Sequence, residues 1–317
     1  MTAVAAQAAT YAEALFALCE RKDDVIVLSA ENHAPVRGLA PRLGARFVDV
    51  GIAEQTLVGA AAGLAARGWR PVVHALASFL TMRAFEFIRS DVALSRLPVT
   101  LVGYIPGVLS EANGPTHQAL EDLALMRAIP GLRVYCPADG EELAAALAQV
   151  VDGRGPTYVR FVDTPAARPA PAFEFGRAEL LSAGAGGVSL VTCGVLLREA
   201  LRARAVLEAH DVPVRLLNLR TLAPLDRAAL LEAACCELLV TLEDHFVTGG
   251  LFGAVAETLA RAGRACRVLP IGFEQRWFTP ARLDDVLARE GLDGARVAQR
   301  VLDALAAPPK GAPCPIE

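Results

Sequence analysis

Short apolar runs alternate along the chain with longer stretches whose apolar positions recur every three or four residues. The strand-like runs are VIVLSA (25–30), RFVDVG (46–51), PVVHAL (71–76), PVTLVGY (98–104), RVYC (133–136) and TYVRFV (157–162). Helical spacing fits AEQTLVGAAAGLAARG (53–68), about 80–95, ALEDLALMRAI (119–129) and EELAAALAQVV (141–151). A Gly/Pro-rich loop, IPGVLSEANGPTHQ, lies at 105–118. The proline-rich stretch DTPAARPAPAFEFG (163–176) interrupts the alternation and reads as an extended linker. Beyond it come VSLVTCG, a helix over 196–209, PVRLLNL, a helix over 226–234, ELLVTLEDH, a helix over 250–262, CRVLPIG and two helices to about 307. Such alternation predicts an α/β chain of two doubly wound domains with mainly parallel sheets. The expected boundaries are a first domain over 1–165, a linker over 166–176, a second domain over 177–307 and a disordered tail over 308–317.

Composition fits two domains: 317 residues, 54% of them apolar. The net charge of −4, with acids and bases mixed, gives no electrostatic reason to expect nucleic acid or an anionic membrane as partner. Seven cysteines are dispersed without CxxC or zinc spacing, which reads as reduced thiols in a cytoplasmic protein. The N-terminal stretch has no early Lys or Arg, so no secretory signal is expected. Residues 180–197 carry no charge, but glycines break the run, which reads as two short strands around AGAGG rather than a membrane span.

Glu54 stands where an apolar strand ends and a helix rich in Gly and Ala begins, bracketed by Gly51, Ile52 and Ala53. An acid in a first helical turn favours the positive end of the dipole by a few tenths of a kcal/mol. Its apolar, small-residue surroundings offer more: an acid held in such a pocket is suited to proton exchange near neutrality, with room for close approach by another surface.

DVGIAEQTLVGAAAGLAARGWRPVVHALASFL and RLPVTLVGYIPGVLSEANGPTHQALEDLALMRAIPGLRVYCPADGEEL resemble the pyrimidine-binding domain of the transketolase family of thiamine diphosphate enzymes. LVTCG and TLEDHFVTGGLFGAVAETLA resemble the family's C-terminal domain, so the likeness covers about residues 8–306. The resemblance implies that Glu54 hydrogen-bonds N1′ of the cofactor's aminopyrimidine. That bond favours the imino tautomer that deprotonates the thiazolium, whose carbanion chemistry follows. Phe79 matches an aromatic that packs on the pyrimidine, and Ile52 and Met82 complete the cofactor-binding set. His117 matches a histidine that contacts substrate and steadies charge on its oxygen. Thr116 and Gln118 shape its loop. Ser29 matches a phosphate-contacting serine.

Departures from the family bear on substrate choice. Asn113 replaces a common Asp and offers a donor as well as an acceptor. Ile105 and Asp163 stand where His and Arg help bind sugar phosphates, with Arg160 or His33 as candidates to compensate. His245 and His74 read as structural, the former capping a loop before the helix near Gly250, and His210 as a surface residue.

The resemblance also exposes a gap. The family's Gly-Asp-Gly, with Asn some way downstream, holds Mg²⁺ and the diphosphate. No Gly-Asp-Gly occurs here. The implied picture is the C-terminal half of a split transketolase, completed by a separate subunit carrying that domain and the Mg²⁺ ligands in an α2β2 assembly. Together they would transfer a two-carbon ketol or acyl unit from a ketone to an aldehyde. The β subunit of a 2-oxo acid dehydrogenase shares the two-domain plan, although GPTHQALEDLALMRAIPG is closer to transketolase. A non-catalytic assembly or regulatory subunit is the third reading, against which the retention of Glu54 and His117 argues.

Overall fold

The computed structural model describes residues 10–184 and 186–307. Alternating strands and helices build two sheets. The first sheet takes β1 (Val25–Ser29), β2 (Phe47–Asp49), β3 (Arg70–Leu76), β4 (Thr100–Tyr104), β5 (Arg133–Tyr135) and β6 (Thr157–Phe161). The second takes β7 (Glu179–Ala183), β8 (Gly186–Thr192), β9 (Val214–Asn218), β11 (Cys236–Phe246) and β12 (Val268–Phe273). One short strand, β10 (Thr221–Ala223), leaves the second half of the chain and pairs antiparallel with β5. The seven-stranded order is therefore β10-β5-β6-β4-β3-β1-β2, and the five-stranded order is β12-β11-β8-β9-β7. Strands β1 to β6 run parallel, and all but the edge strand β2 are largely buried, as apolar strands covered on both faces are. In the second sheet only β7 is antiparallel.

The mainly parallel α/β expectation holds, and three details differ. The helix expected over 80–95 is broken: Phe79–Arg83 and Ile88–Ala93 are π-helical, flanking the single turn Phe85–Phe87. Wide turns of this kind redirect side chains and are frequent at functional sites. The two strands around AGAGG form, but both pair with β9, which lies between them, so they make no hairpin. Strand β10 was not legible, since three residues beside a proline carry no periodicity.

The proline-rich connection is extended yet tied down. Phe173 is buried against Tyr135, with ring centroids 4.4 Å apart. Arg168 pairs with Glu142 and Glu179, and Arg220 donates to the Ala172 carbonyl at 2.8 Å. One apolar cluster runs from Leu57 and Val58 through Met126 to Leu217, Leu239 and Val255, so the two halves share a core. The tail at 308–317 and the first nine residues lie outside the described residues.

Candidate functional site

In an open parallel sheet, ligands bind beyond the carboxyl ends of the strands. Four neighbouring strands in the order β4-β3-β1-β2 deliver the candidates there. Strand β1 ends at Ser29 and leads to His33. Strand β2 ends at Asp49 and leads through Ile52 to Glu54. Strand β3 leads to Phe79, Met82 and Arg83, and β4 leads into the loop that carries Asn113 and His117.

Glu54 opens the helix Glu54–Ala66 and is buried, with its side chain 3% exposed. Its carboxylate accepts a 2.7 Å hydrogen bond from Nη1 of Arg83, whose side chain remains 43% exposed. The Arg83 guanidinium also lies over the Phe79 ring, 4.3 Å from its centroid. Phe79 also meets His117, edge to face at 4.9 Å. Glu54, Phe79 and His117 are thus joined into one chain of contacts through Arg83. Sequence reading placed Glu54 in purely apolar surroundings and overlooked this guanidinium. The signal was present, because Arg83 follows Phe79 by four positions in FLTMR and so shares its helical face.

His117 lies at the end of the 3-10 turn Gly114–Thr116, and its Nδ1 is 2.8 Å from the Thr116 hydroxyl. With that hydroxyl donating, the ring proton sits on Nε2 and can be given to a substrate oxygen. The loop is fastened at several points. Gly107 bridges Ala119, and the Glu111 carboxylate accepts from the Leu283 amide at 2.7 Å. Gly114, at φ +70°, packs so close to Pro280 that a Cβ would lie 2.8 Å from its Cγ. The second domain therefore sets the position of the His117 loop.

The remaining candidates sit apart from this chain. His33 Nε2 is 2.6 Å from Asp49 Oδ2, while the other Asp49 oxygen accepts from the amides of Glu31 and Gly51. Ser29 is fully buried and its hydroxyl has no partner among the described residues. Asn113 is exposed and donates to Ser110 at 3.3 Å. Ile52 and Met82 are large apolar side chains left 69% and 38% exposed.

Arg160 is no compensating phosphate ligand. It is fully buried and donates to Asp122 at 2.8 Å, to the Asp244 carboxylate at 2.5 Å and to the Asp244 carbonyl at 3.1 Å. Burial works against its charge, but Asp122 and Asp244 together raise its pKa well above the ordinary value. This cluster ties β6 to β11 beneath the His117 loop. Gly107, at φ +64°, belongs here as well, since a Cβ would stand 2.5 Å from Asp244 Oδ2.

His245 is also internal. Burial lowers its pKa to about 4, Nδ1 bonds the Phe246 carbonyl at 2.6 Å, and Nε2 accepts from the Ala124 amide. The capping expected of it is done by Glu243, which accepts from the Leu251 and Phe252 amides at the start of the helix Leu251–Arg261. Desolvation raises Glu243 to about 8. His74 is structural: burial lowers it to about 4, and it bonds Tyr11 at 2.8 Å and the Leu28 carbonyl at 3.3 Å. His210 is exposed.

Residues 4–163 match the family described as "Transketolase, pyrimidine binding domain", and residues 176–297 match "Transketolase, C-terminal domain". The chain belongs to the transketolase family. It is 37% identical over 265 residues to the 6-deoxy-6-sulfo-D-fructose transketolase subunit SqwH of Clostridium sp., covering 82% of this chain and 81% of the relative. It is 32% identical over 300 residues to a putative transketolase C-terminal section of Methanocaldococcus jannaschii, covering 92% of this chain and 94% of that one. A solved structure described as a split gene transketolase, inactive beta4 tetramer, superimposes with a TM-score of 0.84 at 34% identity, over 93% of this chain and 97% of that chain. These likenesses favour the transketolase reading over a 2-oxo acid dehydrogenase subunit.

For this transketolase-family chain, the fit to thiamine diphosphate is one-sided. A buried carboxylate beside a half-buried aromatic ring suits an aminopyrimidine. Among the described residues no group of three or more His, Cys, Asp or Glu is arranged to hold a metal ion. No helix of the described residues is long and apolar enough to cross a membrane.

Proposed function

We propose that this chain is the pyrimidine-side subunit of a split transketolase and acts only with a partner that holds Mg²⁺ and the diphosphate. The observation that carries the proposal is the contact chain Glu54–Arg83–Phe79–His117 at the carboxyl ends of adjacent parallel strands. It offers a carboxyl for the ring nitrogen and an aromatic face for the ring, and nothing for the diphosphate. The exposed Ile52 and Met82 beside it suit contact with cofactor and partner. The solved relative, an inactive tetramer of one kind of chain, supports the need for a second subunit, and we infer an α2β2 complex.

In that complex thiamine diphosphate supplies an electron sink for a two-carbon ketol moved from a ketone donor to an aldehyde acceptor. Glu54 holds or gives the proton at the ring nitrogen. Phe79, Ile52 and Met82 would hold the ring by apolar contact. His117 donates from Nε2 to the substrate oxygen as charge builds there. Asn113 and His33 stand at the rim as substrate contacts. Ser29 reaches substrate only if the end of β1 opens. Ile105 and Asp163 lack the chemistry for a phosphate dianion, which favours a substrate other than the usual sugar phosphates. The sulfonated ketose in a relative's name is consistent with such a branch. The domain limits 1–165 and 177–307 and a cytoplasmic location complete the proposal.

The test is affinity isolation from the native host. A co-purifying chain that carries Gly-Asp-Gly with a downstream Asn supports the proposal, and an assembled complex that transfers ketol units with thiamine diphosphate and Mg²⁺ establishes it. Glu54→Gln in that complex should abolish transfer. Full activity in the variant refutes the mechanism, and a requirement for a lipoyl-domain acceptor returns the dehydrogenase reading.

A further inference from the structure

The same guanidinium meets both features that an aminopyrimidine needs. It donates an N–H to the Glu54 carboxylate at 2.7 Å and holds its central carbon over the Phe79 ring, 4.3 Å from the centroid. An aminopyrimidine carries an N–C–N unit of similar shape, with donors in its plane and π faces above and below. A protonated ring would make the same two contacts. We infer that Arg83 is a built-in mimic of the cofactor ring: it satisfies the buried carboxylate while the site is empty and swings to solvent when the ring docks.

The local structure permits the exchange. Arg83 ends the π-helical turn Phe79–Arg83, and its side chain is 43% exposed, whereas that of Glu54 is 3% exposed. Arg83 therefore reaches inward from the surface, and a rotation of its flexible stem clears the site without moving the backbone. The Arg83 guanidinium has no hydrogen-bond partner among the described residues other than Glu54. Left without the cation, Glu54 would be a buried carboxylate whose described side-chain partner had gone. The mimic thus keeps the free subunit's site filled before assembly, and each docking event must break one charge-assisted hydrogen bond.

This inference rests on the proposed function, and one set of measurements separates the two. Titration calorimetry measures thiamine diphosphate binding, with Mg²⁺, to the assembled complex of the wild type, Arg83→Met and Arg83→Gln. Removing the competitor should tighten binding roughly tenfold to a hundredfold, the worth of one charged hydrogen bond. Arg83→Gln keeps a polar end without the charge, so it serves if the methionine variant folds poorly. Equal or weaker binding by the variants, with normal binding by the wild type, overturns the mimic and leaves the function standing. Absence of binding in all three complexes overturns both.

Discussion

Acidification should destabilise this protein through His74, and the size of the effect follows from its surroundings. The ring is fully buried, with Nδ1 toward the Leu28 carbonyl and Nε2 toward the Tyr11 hydroxyl. Desolvation lowers its pKa from 6.5 to about 4. The unfolded chain then binds a proton that the folded chain refuses, so the stabilisation is complete above pH 6.5 and is lost as pH falls toward 4. At pH 5.0 about 1.5 pH units of that difference are realised, or about 2 kcal/mol. The wild-type profile alone does not isolate this, because Glu243, raised to about 8, takes up a proton on folding and stabilises the native state over the same range. His245, lowered to about 4, adds to the acid sensitivity. The informative comparison is between the wild type and His74→Gln, which keeps a hydrogen-bonding group for Tyr11. Urea unfolding at pH 7.5 and 5.0, at one protein concentration, gives the stability gap between the two proteins. That gap should shift by about 2 kcal/mol against the wild type on acidification. An unchanged gap would show that His74 titrates as it does in the unfolded chain.

Other substitutions probe the frame beneath the site. Arg160→Met strands Asp122 and Asp244 in the core and should lower stability by about 3–5 kcal/mol, enough to reduce soluble yield. Urea midpoints near wild type would show that the cluster is not desolvated. Gly107→Ala should lose more than about 2 kcal/mol, combining left-handed backbone with contact against Asp244. Gly131→Ala, at φ +79° with open space around it, should lose only the backbone share of about 1 kcal/mol. Equal losses at the two glycines would refute the close approach to Asp244.

The sheets and most helices were legible because parallel strands are apolar throughout and their helices amphipathic, so the switch of period marks each boundary. Glu54, Phe79 and His117 were legible through family strings, and their convergence follows from strand order. Arg83 is not legible from family strings, because its role shows only in its spacing to Phe79 across a helical turn. Arg160 was read as a free cation because its two carboxylate partners lie 38 and 84 positions away in sequence, and no local pattern carries that. The broken helix after β3 escaped for a similar reason: π turns depend on what packs against them.

Strand β10 has a consequence for synthesis on the ribosome. The β5 edge of the first sheet stays bare until Thr221–Ala223 has emerged, after the linker and the first strands of the second sheet. Until then the nascent chain offers an unpaired strand edge to its neighbours. A fragment that stops at the linker would keep that edge for good and should aggregate. Separating the two domains at the linker is therefore barred by folding before any question of catalysis arises.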